Sequence, residues 1–269
     1  MSRDLFNPNL LNLPSDEDHK MGILEIKNLN KKFGGLHAIK NINLNIRQGE
    51  LSSIIGPNGA GKTTLFNLIT GSLLPDSGSI VFEGKNITGM QTFQLAKIGI
   101  GMAFQKTNIF PRMTAYENVE TALIARTQRN MNFISSINKF ADIITETLEI
   151  LDSMGLSDKV DSISSTLSHG DQKLLDIAIA IALKPKLLLI DEPTAGMSPE
   201  ERRKTIGLLK KLWKEMNMTL LFIEHDMDMV FSISEIIRVL YHGELIAEGK
   251  PEEIANNPQV IEAYLGEET

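Results

Sequence analysis

The chain has 269 residues, 42% of them hydrophobic, which is enough for one large domain with a substantial core. A net charge of −7 and a pI near 5.4 argue against a nucleic-acid-binding protein, which usually presents a basic face. The absence of cysteine excludes disulfides and thiolate metal sites, and no apolar run reaches the roughly 18 residues of a membrane span. Residues 1–21 are polar and lack a signal-peptide pattern, which predicts a flexible lead on a soluble, cytoplasmic protein.

The first part of the chain reads mainly as strand. Alternation of apolar and polar residues over 22–30 and 37–46 predicts two half-exposed antiparallel strands. Residues 51–55, LSSII, predict a short buried strand that ends at Gly56, where a glycine-rich segment begins. A helical pattern then runs to Gly71, and residues 78–84 return to strand.

The rest of the chain alternates helical and strand patterns. From about 112 to 184 the pattern is mainly helical, apart from a poorly patterned stretch at 130–138 that is interpreted as loop. The elements predicted after it are strands at 186–191, 219–224, 236–241 and 244–248 and helices at 199–216 and from about 226. Such alternation predicts an α/β fold with a mostly parallel core sheet covered on both faces. We expect one domain over 22–269, with a helical subdomain inserted at about 108–184.

The glycine-rich segment GPNGAGKT, residues 56–63, matches the phosphate-loop pattern G-x-x-x-x-G-K-[ST] between a strand and a helix. Glycines let successive backbone N–H groups converge on a phosphate at the positive end of the helix. Lys62 adds a full charge, worth roughly 4 kcal/mol at about 4 Å before desolvation. Thr63 is placed to ligate Mg²⁺ through its hydroxyl. The predicted ATP-binding residues are Gly56, Pro57, Asn58, Gly59, Ala60, Gly61, Lys62, Thr63 and Thr64.

Acidic and polar residues follow the predicted strands of the core sheet. Asp191 ends a buried strand, where ligands of such sheets gather, and is the predicted second magnesium ligand. Glu192 brings a second carboxylate to that edge, where it can accept a proton from an attacking water. His225 follows the next strand and is expected to contact the γ-phosphate, while Gln105 follows the strand GIGMAF and is expected to sense metal or water. The pattern predicts phosphoryl transfer from ATP to water.

A serine, a histidine and an aspartate lie within residues 168–171, which raises the question of a hydrolytic triad. Neighbouring residues on one short segment rarely line up through successive hydrogen bonds as a triad requires, and no G-x-S-x-G motif occurs in the chain. Ser168 and Asp171 instead match a capping box that opens a helix.

Together these motifs resemble the ATPase subunits of ABC transporters from about residue 22 onward. The resemblance rests on a Walker A segment at 56–63, a glutamine loop at Gln105, a signature segment at 167–172, a Walker B segment at 187–191 followed by Glu192, and a switch histidine at His225. It implies a P-loop ATPase that forms a head-to-tail dimer around two ATP molecules. In such a dimer, Ser168, His169, Gly170 and Asp171 of one subunit face the γ-phosphate bound by the other. It also implies that Phe33 stacks on adenine.

The signature departs from the family's common L-S-G-G-Q, because His169 replaces the first glycine and Asp171 the final glutamine. The serine and second glycine, which the resemblance places against phosphate, are kept. In the loop after the Walker B segment, Ser198 stands where many family members carry aspartate.

Within the family, the segments LSHGDQ, DEPTAGMSPEE, NIFPRMTAYENV and AYLGEE look most like ATPases of branched-chain amino acid importers. This resemblance implies a subunit on the cytoplasmic face of the cell membrane, working with a permease, with itself or a second ATPase subunit, and with an external solute-binding protein. Residues 108–119 are expected to contact the permease, and no nucleic acid is expected. The alternatives are the ATPase of an envelope-lipid exporter, that of a urea or amide importer, and a soluble ABC protein acting on ribosomes or chromosomes.

Overall fold

The computed structural model describes residues 22–103, 107–127 and 136–265, with side chains omitted at 136–140 and 265. The predicted lead at 1–21 and the predicted loop residues 130–135 lie outside this part of the chain. The strands are β1 (Gly22–Phe33), β2 (Leu36–Arg47), β3 (Leu51–Ile55), β4 (Ser77–Phe82), β5 (Lys85–Asn86), β6 (Ile100–Ala103), β7 (Leu187–Asp191), β8 (Thr219–Ile223), β9 (Ile236–Tyr241) and β10 (Glu244–Gly249). The helices are α1 (Lys62–Ile69), α2 (Thr92–Ile98), α3 (Ala115–Thr127), α4 (Ser136–Ser153), α5 (His169–Ala182), α6 (Pro199–Met216), α7 (Met227–Ile233), α8 (Pro251–Ala255) and α9 (Pro258–Leu265).

The core sheet has six strands in the order β10-β9-β3-β8-β7-β6. All its pairings are parallel except that of β10 with β9 at one edge. Every residue of β3, β7 and β8 is buried, as expected for strands covered on both faces. The predicted α/β fold with a mostly parallel sheet is therefore confirmed.

A second sheet contains four antiparallel strands in the order β2-β1-β4-β5. The alternation read from 22–30 and 37–46 corresponds to β1 and β2, which pair antiparallel over their length. Their buried residues join β3 and α1 in one apolar cluster, so this sheet lies against the phosphate loop.

Helices α3, α4 and α5 share a single apolar cluster with one face of the core sheet, including Leu123, Leu151, Leu175 and Ile190. The boundaries of a helical subdomain at about 108–184 stay a prediction. The predicted loop is wrong for residues 136–138, which form the start of α4. Within the ranges that the structure describes, no helix combines the length and apolarity needed to span a bilayer.

The sequence predictions place helix α6 at its observed bounds and miss four short elements, β5, α2, α8 and α9. Helices α8 and α9 each begin at a proline, Pro251 and Pro258, in the position where proline favours a helix start. That signal was present in the sequence, but each helix is too short to show a clear apolar period.

Candidate functional site

The loop between β3 and α1 has a backbone that only glycine adopts easily. Gly56, Gly59 and Gly61 have φ values of 149°, 79° and 105°. A Cβ at Gly56 would lie 2.0 Å from the carbonyl oxygen of Leu240, and one at Gly61 would lie 2.6 Å from that of Ala38. The glycines of the phosphate-loop pattern are thus required by conformation and by close packing.

Lys62 is the first residue of α1 and is 6% exposed. Its Nζ donates hydrogen bonds to the carbonyl oxygens of Gly56, at 2.5 Å, and Pro57, at 2.9 Å. The ammonium therefore lies inside the curve of the loop that it belongs to. A phosphate bound there would meet the positive end of α1 and this charge together.

The phosphate loop forms part of the wall of a cleft of about 540 Å³. Phe33 lines this cleft and is 45% exposed, and the Nζ of Lys31 is 5.5 Å from its ring centroid. Glu192 and His225 border the same cleft. The residues of the loop that line it are Asn58, Gly59, Ala60, Gly61, Lys62, Thr63 and Thr64. The same cleft is therefore lined by three sequence-predicted groups: the phosphate loop, Phe33 and the Glu192–His225 pair.

The carboxylates lie at the carboxyl ends of the parallel strands. Asp191 is the last residue of β7, and burial, followed by the charge of Glu192, raises its pKa above the usual aspartate range. Glu192 has φ of 50°, a left-handed conformation that costs a residue with a Cβ on the order of 1 kcal/mol. The Nε2 of His225 lies 3.1 Å from Glu192 Oε1. A carboxylate and an imidazole in contact beside a phosphate loop can exchange or share a proton at that cleft.

Lys173 is a buried cation that the sequence reasoning missed. It lies in α5, is 1% exposed, and donates from Nζ to the backbone oxygen of Asp191 at 2.8 Å. Burial lowers the pKa of Lys173, although nearby carboxylates, including those of Asp176 and Glu224, act in the opposite direction. In the sequence, Lys173 looks like any lysine of an amphipathic helix, whose ammonium usually lies in solvent. Nothing in the local pattern therefore indicates its contact with Asp191.

Glu224 is a second missed residue. This carboxylate directly precedes His225, is 4% exposed and accepts from the backbone N–H groups of His225 at 2.7 Å and Asp226 at 3.3 Å. It also accepts from the backbone N–H of Thr194 at 3.1 Å and from the Thr194 hydroxyl. Glu224 therefore joins the turn after β7 to the turn after β8. In the sequence, the feature that could have indicated Glu224 is an acidic residue at the end of an apolar strand.

The signature segment lies in a different cleft, of about 620 Å³, which Ser168, Gly170 and Asp171 line together with Met197. Ser168 caps α5 by accepting from the Asp171 backbone N–H at 3.1 Å, as predicted. The predicted capping box is only half formed, because the Asp171 carboxylate accepts from the Ser168 hydroxyl at 2.7 Å and from Lys159 Nζ at 2.8 Å instead of from the Ser168 backbone. An aspartate side chain is one methylene shorter than the glutamate of a full box.

Three sequence-predicted positions remain, Gln105, Ser198 and His169. Gln105 lies outside the described residues. Ser198 caps α6 in a complete capping box with Glu201, whose carboxylate accepts from the Ser198 backbone N–H at 2.8 Å. Serine therefore serves as the helix cap at the position where many family members carry aspartate, another good capping residue. The imidazole of His169 packs on Gly196, where an added Cβ would lie 2.9 Å from its Cδ2.

Comparison with known proteins agrees with this geometry. A family model described as ABC transporter matches residues 39–195, more than half of the 269-residue chain. The chain belongs to the ABC transporter family. A second model, described as branched-chain amino acid ATP-binding cassette transporter, matches residues 244–269 of this ABC subunit.

Curated relatives cover nearly the whole ABC subunit. The high-affinity branched-chain amino acid transport ATP-binding protein BraF of Pseudomonas aeruginosa is 40% identical over 253 residues, which cover 91% of this chain and 98% of the relative. The protein LivG of Escherichia coli K12, described in the same words, is 39% identical over 253 residues with the same coverage of both chains.

Solved structures resemble the ABC subunit over the same length. An ATP-binding cassette of an ABC transporter in its ADP conformation has a TM-score of 0.78 and 32% identity, covering 92% of this chain and 100% of that one. A dimeric cassette in a post-hydrolysis state, bound to ADP and Pi, has a TM-score of 0.74 and 33% identity, covering 85% and 98%. This ABC subunit is an ATPase whose hydrolysis of ATP drives transmembrane transport.

The contacts of Glu224 generate a prediction. Glu224→Gln retains the size of the side chain but turns an amide NH₂ toward N–H donors, and we expect it to lower the free energy of unfolding by about 1–3 kcal/mol. Because the turns that carry Thr194 and His225 lose their common acceptor, ATP hydrolysis should fall as well. Urea unfolding and steady-state ATPase rates measure the two effects. Glu215→Gln, on the exposed side of α6, is the matched control; unchanged stability and rate in Glu224→Gln would contradict the assignment.

Proposed function

We propose that this ABC subunit powers an importer of branched-chain or related amino acids. Its curated relatives carry that description, and so does the model that matches residues 244–269. These similarities do not favour the lipid-exporter alternative. The importer contains membrane permease subunits and a dimer of ATPase subunits, formed by this chain with itself or with a second ATPase, at the cytoplasmic face of the cell membrane. An external solute-binding protein delivers the amino acid.

The phosphate loop, Glu192 and His225 line one cleft, and we propose that ATP is hydrolysed there. A water oxygen attacks the γ-phosphorus while the bond to the bridging oxygen of ADP breaks, releasing ADP and inorganic phosphate. The Glu192 carboxylate accepts the water proton. Lys62 and the N–H groups of the loop stabilise the negative charge on the phosphates. His225 contacts Glu192 and lines the same cleft, which supports its proposed contact with the γ-phosphate.

The residues present fit a magnesium ion. Asp191 Oδ1 is buried and has no hydrogen-bond partner within the described part of the chain, and Thr63 lines the cleft. Oxygen ligands of this kind are those that Mg²⁺ uses beside bound phosphates. Thr63 and Asp191, with Gln105, would hold the ion, and when bound it would neutralise phosphate charge. It would also oppose the effect of burial on the pKa of Asp191.

The remaining predicted contacts concern the adenine and the second subunit. Phe33 is half-exposed and lines the cleft, which supports its proposed stacking on adenine. Ser168 and Gly170 open α5 in a separate cleft, as expected if they face the γ-phosphate bound by the partner subunit. The Lys159 ammonium, paired with Asp171, reduces the negative charge that Asp171 adds at this position.

Glu192→Gln tests the hydrolytic role of the carboxylate. The amide cannot accept the proton of water, so we expect hydrolysis to fall by a factor of about 10² to 10⁴, while ATP binding is retained and the ATP-bound dimer becomes more stable. Steady-state ATPase rates, a fluorescent-nucleotide titration and size-exclusion chromatography with ATP measure these properties. Glu200→Gln, on the exposed first turn of α6, is the control. Full activity in Glu192→Gln would exclude it as the base.

The solute is tested by uptake in cells that lack this chain. We expect restoration of the chain to restore uptake of labelled leucine, isoleucine and valine, because the relatives that match 91% of the chain are described as branched-chain amino acid transport proteins. Urea is the matched comparison solute. Restored urea uptake with no effect on the three amino acids would show that the solute assignment is wrong while leaving the ATPase unaffected.

The segment 108–119 has features of a permease-docking surface. Phe110 is 52% exposed, and Ile163, which lies in the loop that packs on this segment, is also exposed. Beneath them, the buried side chain of Asn118 accepts from the Phe110 backbone N–H at 2.7 Å and donates to the Ser164 hydroxyl at 2.8 Å. The segment is therefore rigidly supported and presents apolar groups outward, as binding surfaces commonly do.

Arg112→Glu combined with Phe110→Ser tests this surface. Both side chains are exposed, so the fold should be unchanged, and loss of the contact should reduce amino-acid uptake by roughly tenfold or more, since central apolar anchors dominate interfaces. The ATPase rate of the isolated chain should stay at the wild-type level. Lys97→Glu with Phe93→Ser, at another exposed phenylalanine, is the matched control. Normal uptake in the first double variant would place the permease contact elsewhere.

A further inference from the structure

The peptide group that joins Asp191 to Glu192 is held at both of its polar atoms. Its carbonyl oxygen accepts from Lys173 Nζ at 2.8 Å. Its N–H, which belongs to Glu192, donates to the carbonyl oxygen of Ile223 at 3.0 Å. One bond comes from a side chain of α5 and the other from the neighbouring strand β8, so the plane of this peptide is fixed from two directions.

The plane of this peptide determines where the Glu192 side chain points. The left-handed φ of 50° at Glu192 is unfavourable for a residue with a Cβ, and it persists only where surrounding contacts impose it. Downstream, the Glu192 carbonyl accepts from the Ala195 N–H at 3.3 Å. Contacts before and after Glu192 thus fix its φ, and the Cβ so directed places the carboxylate 3.1 Å from His225 at the nucleotide cleft.

The contact from Lys173 comes from a side chain of helix α5, whereas those of Ile223 and Ala195 are backbone hydrogen bonds. Lys173 is 1% exposed and lies five positions after Ser168, on the helix that the signature segment opens. The long side chain of Lys173 is fully buried and donates to a backbone carbonyl, so it has a defined position, because packing leaves it few rotamers. The donor therefore moves only when α5 moves.

We propose that Lys173 is a positioning residue for ATP hydrolysis: from the signature helix it holds the Asp191 carbonyl and so fixes the peptide that aims the Glu192 carboxylate into the cleft. This inference rests on the proposed role of Glu192 as the base. It also gives α5 two functions, because the same helix presents Ser168 to the nucleotide of the partner subunit. Engagement of α5 by the partner's ATP is thereby linked to the geometry of this subunit's own base.

Lys173→Met in the full chain tests the proposal. Methionine fills similar space without a donor, so the Asp191 carbonyl loses its partner and the Glu192 peptide can rotate. We expect kcat to fall by a factor of about 10 to 100, the effect of displacing a catalytic group by an ångström or so. The Kd for ATP, from a fluorescent-nucleotide titration, should change by less than about threefold, because Lys173 does not line the nucleotide cleft.

Two further variants separate positioning from a merely structural role. Lys173→Arg keeps a charged donor and should recover most of the lost kcat. In the Glu192→Gln background, Lys173→Met should cause no additional loss of hydrolysis, because the group that it positions is already absent. Lys184→Met, an exposed lysine just beyond the end of the same helix, is the control for the substitution itself.

Each result decides the question. Wild-type kcat in Lys173→Met, or a fall in kcat matched by an equal fall in ATP affinity, would overturn the proposal. An additive loss in the double variant would overturn it as well. If Lys173→Met does not fold, Lys173→Gln is measured by the same criteria. Full activity in Glu192→Gln would instead show that the proposed base is wrong, whereas loss there together with normal kcat in Lys173→Met would reject only the role of Lys173.

Discussion

The register of three parallel strands is the constraint on which the site depends. Asp191 at the end of β7 pairs with Ile223 at the end of β8, and Ile223 is level with Ile54 of β3. Because these strands end together, the chain emerges from each at the same edge of the sheet, where α/β folds bind their ligands. The phosphate loop, Glu192 and His225 follow these three strand ends. A shift of one residue in any pairing would reverse its alternate side chains and separate these groups.

Asp191, Glu192 and Glu224 lie close together at the carboxyl ends of β7 and β8, where their negative charges repel one another. Hydrogen bonds and buried cations offset this repulsion. Glu224 is satisfied by donors from two turns, and its position also fixes those turns. Lys173 lies among the acidic groups, whose charges favour its ammonium form, and it donates to the Asp191 carbonyl. Burying charges is favourable only when their hydrogen bonds are completed. The same contacts that satisfy this requirement therefore make the site rigid, which catalysis by a positioned base requires.

Much of this organisation was predictable from the sequence. The rest was not predictable, because it consists of contacts between segments that are distant along the chain. Strand and helix periods are local, so β3, β7, β8 and α6 were predicted within a residue or so. The phosphate-loop pattern places its own ligands, because its residues are contiguous. The contacts of Lys173 and Glu224 join residues 18 and 30 positions away from them, in elements whose relative orientation no local pattern specifies. The half-formed capping box at Ser168 likewise depends on Lys159, which comes from a different segment.

The two phosphate-facing positions proposed for the ATP complex already have internal hydrogen-bond partners. Lys62 donates to two carbonyls of its own loop, and the Ser168 hydroxyl donates to the Asp171 carboxylate. A bound nucleotide must therefore exchange these bonds for contacts to phosphate instead of filling unsatisfied sites. The net gain from each exchange is smaller than the bond itself, since one hydrogen bond replaces another. Affinity must then come mainly from the charge of the triphosphate and its ion, so binding of ATP and binding of ADP differ most where the γ-phosphate lies. That difference in charge is what can drive the subunits together before hydrolysis and release them after it.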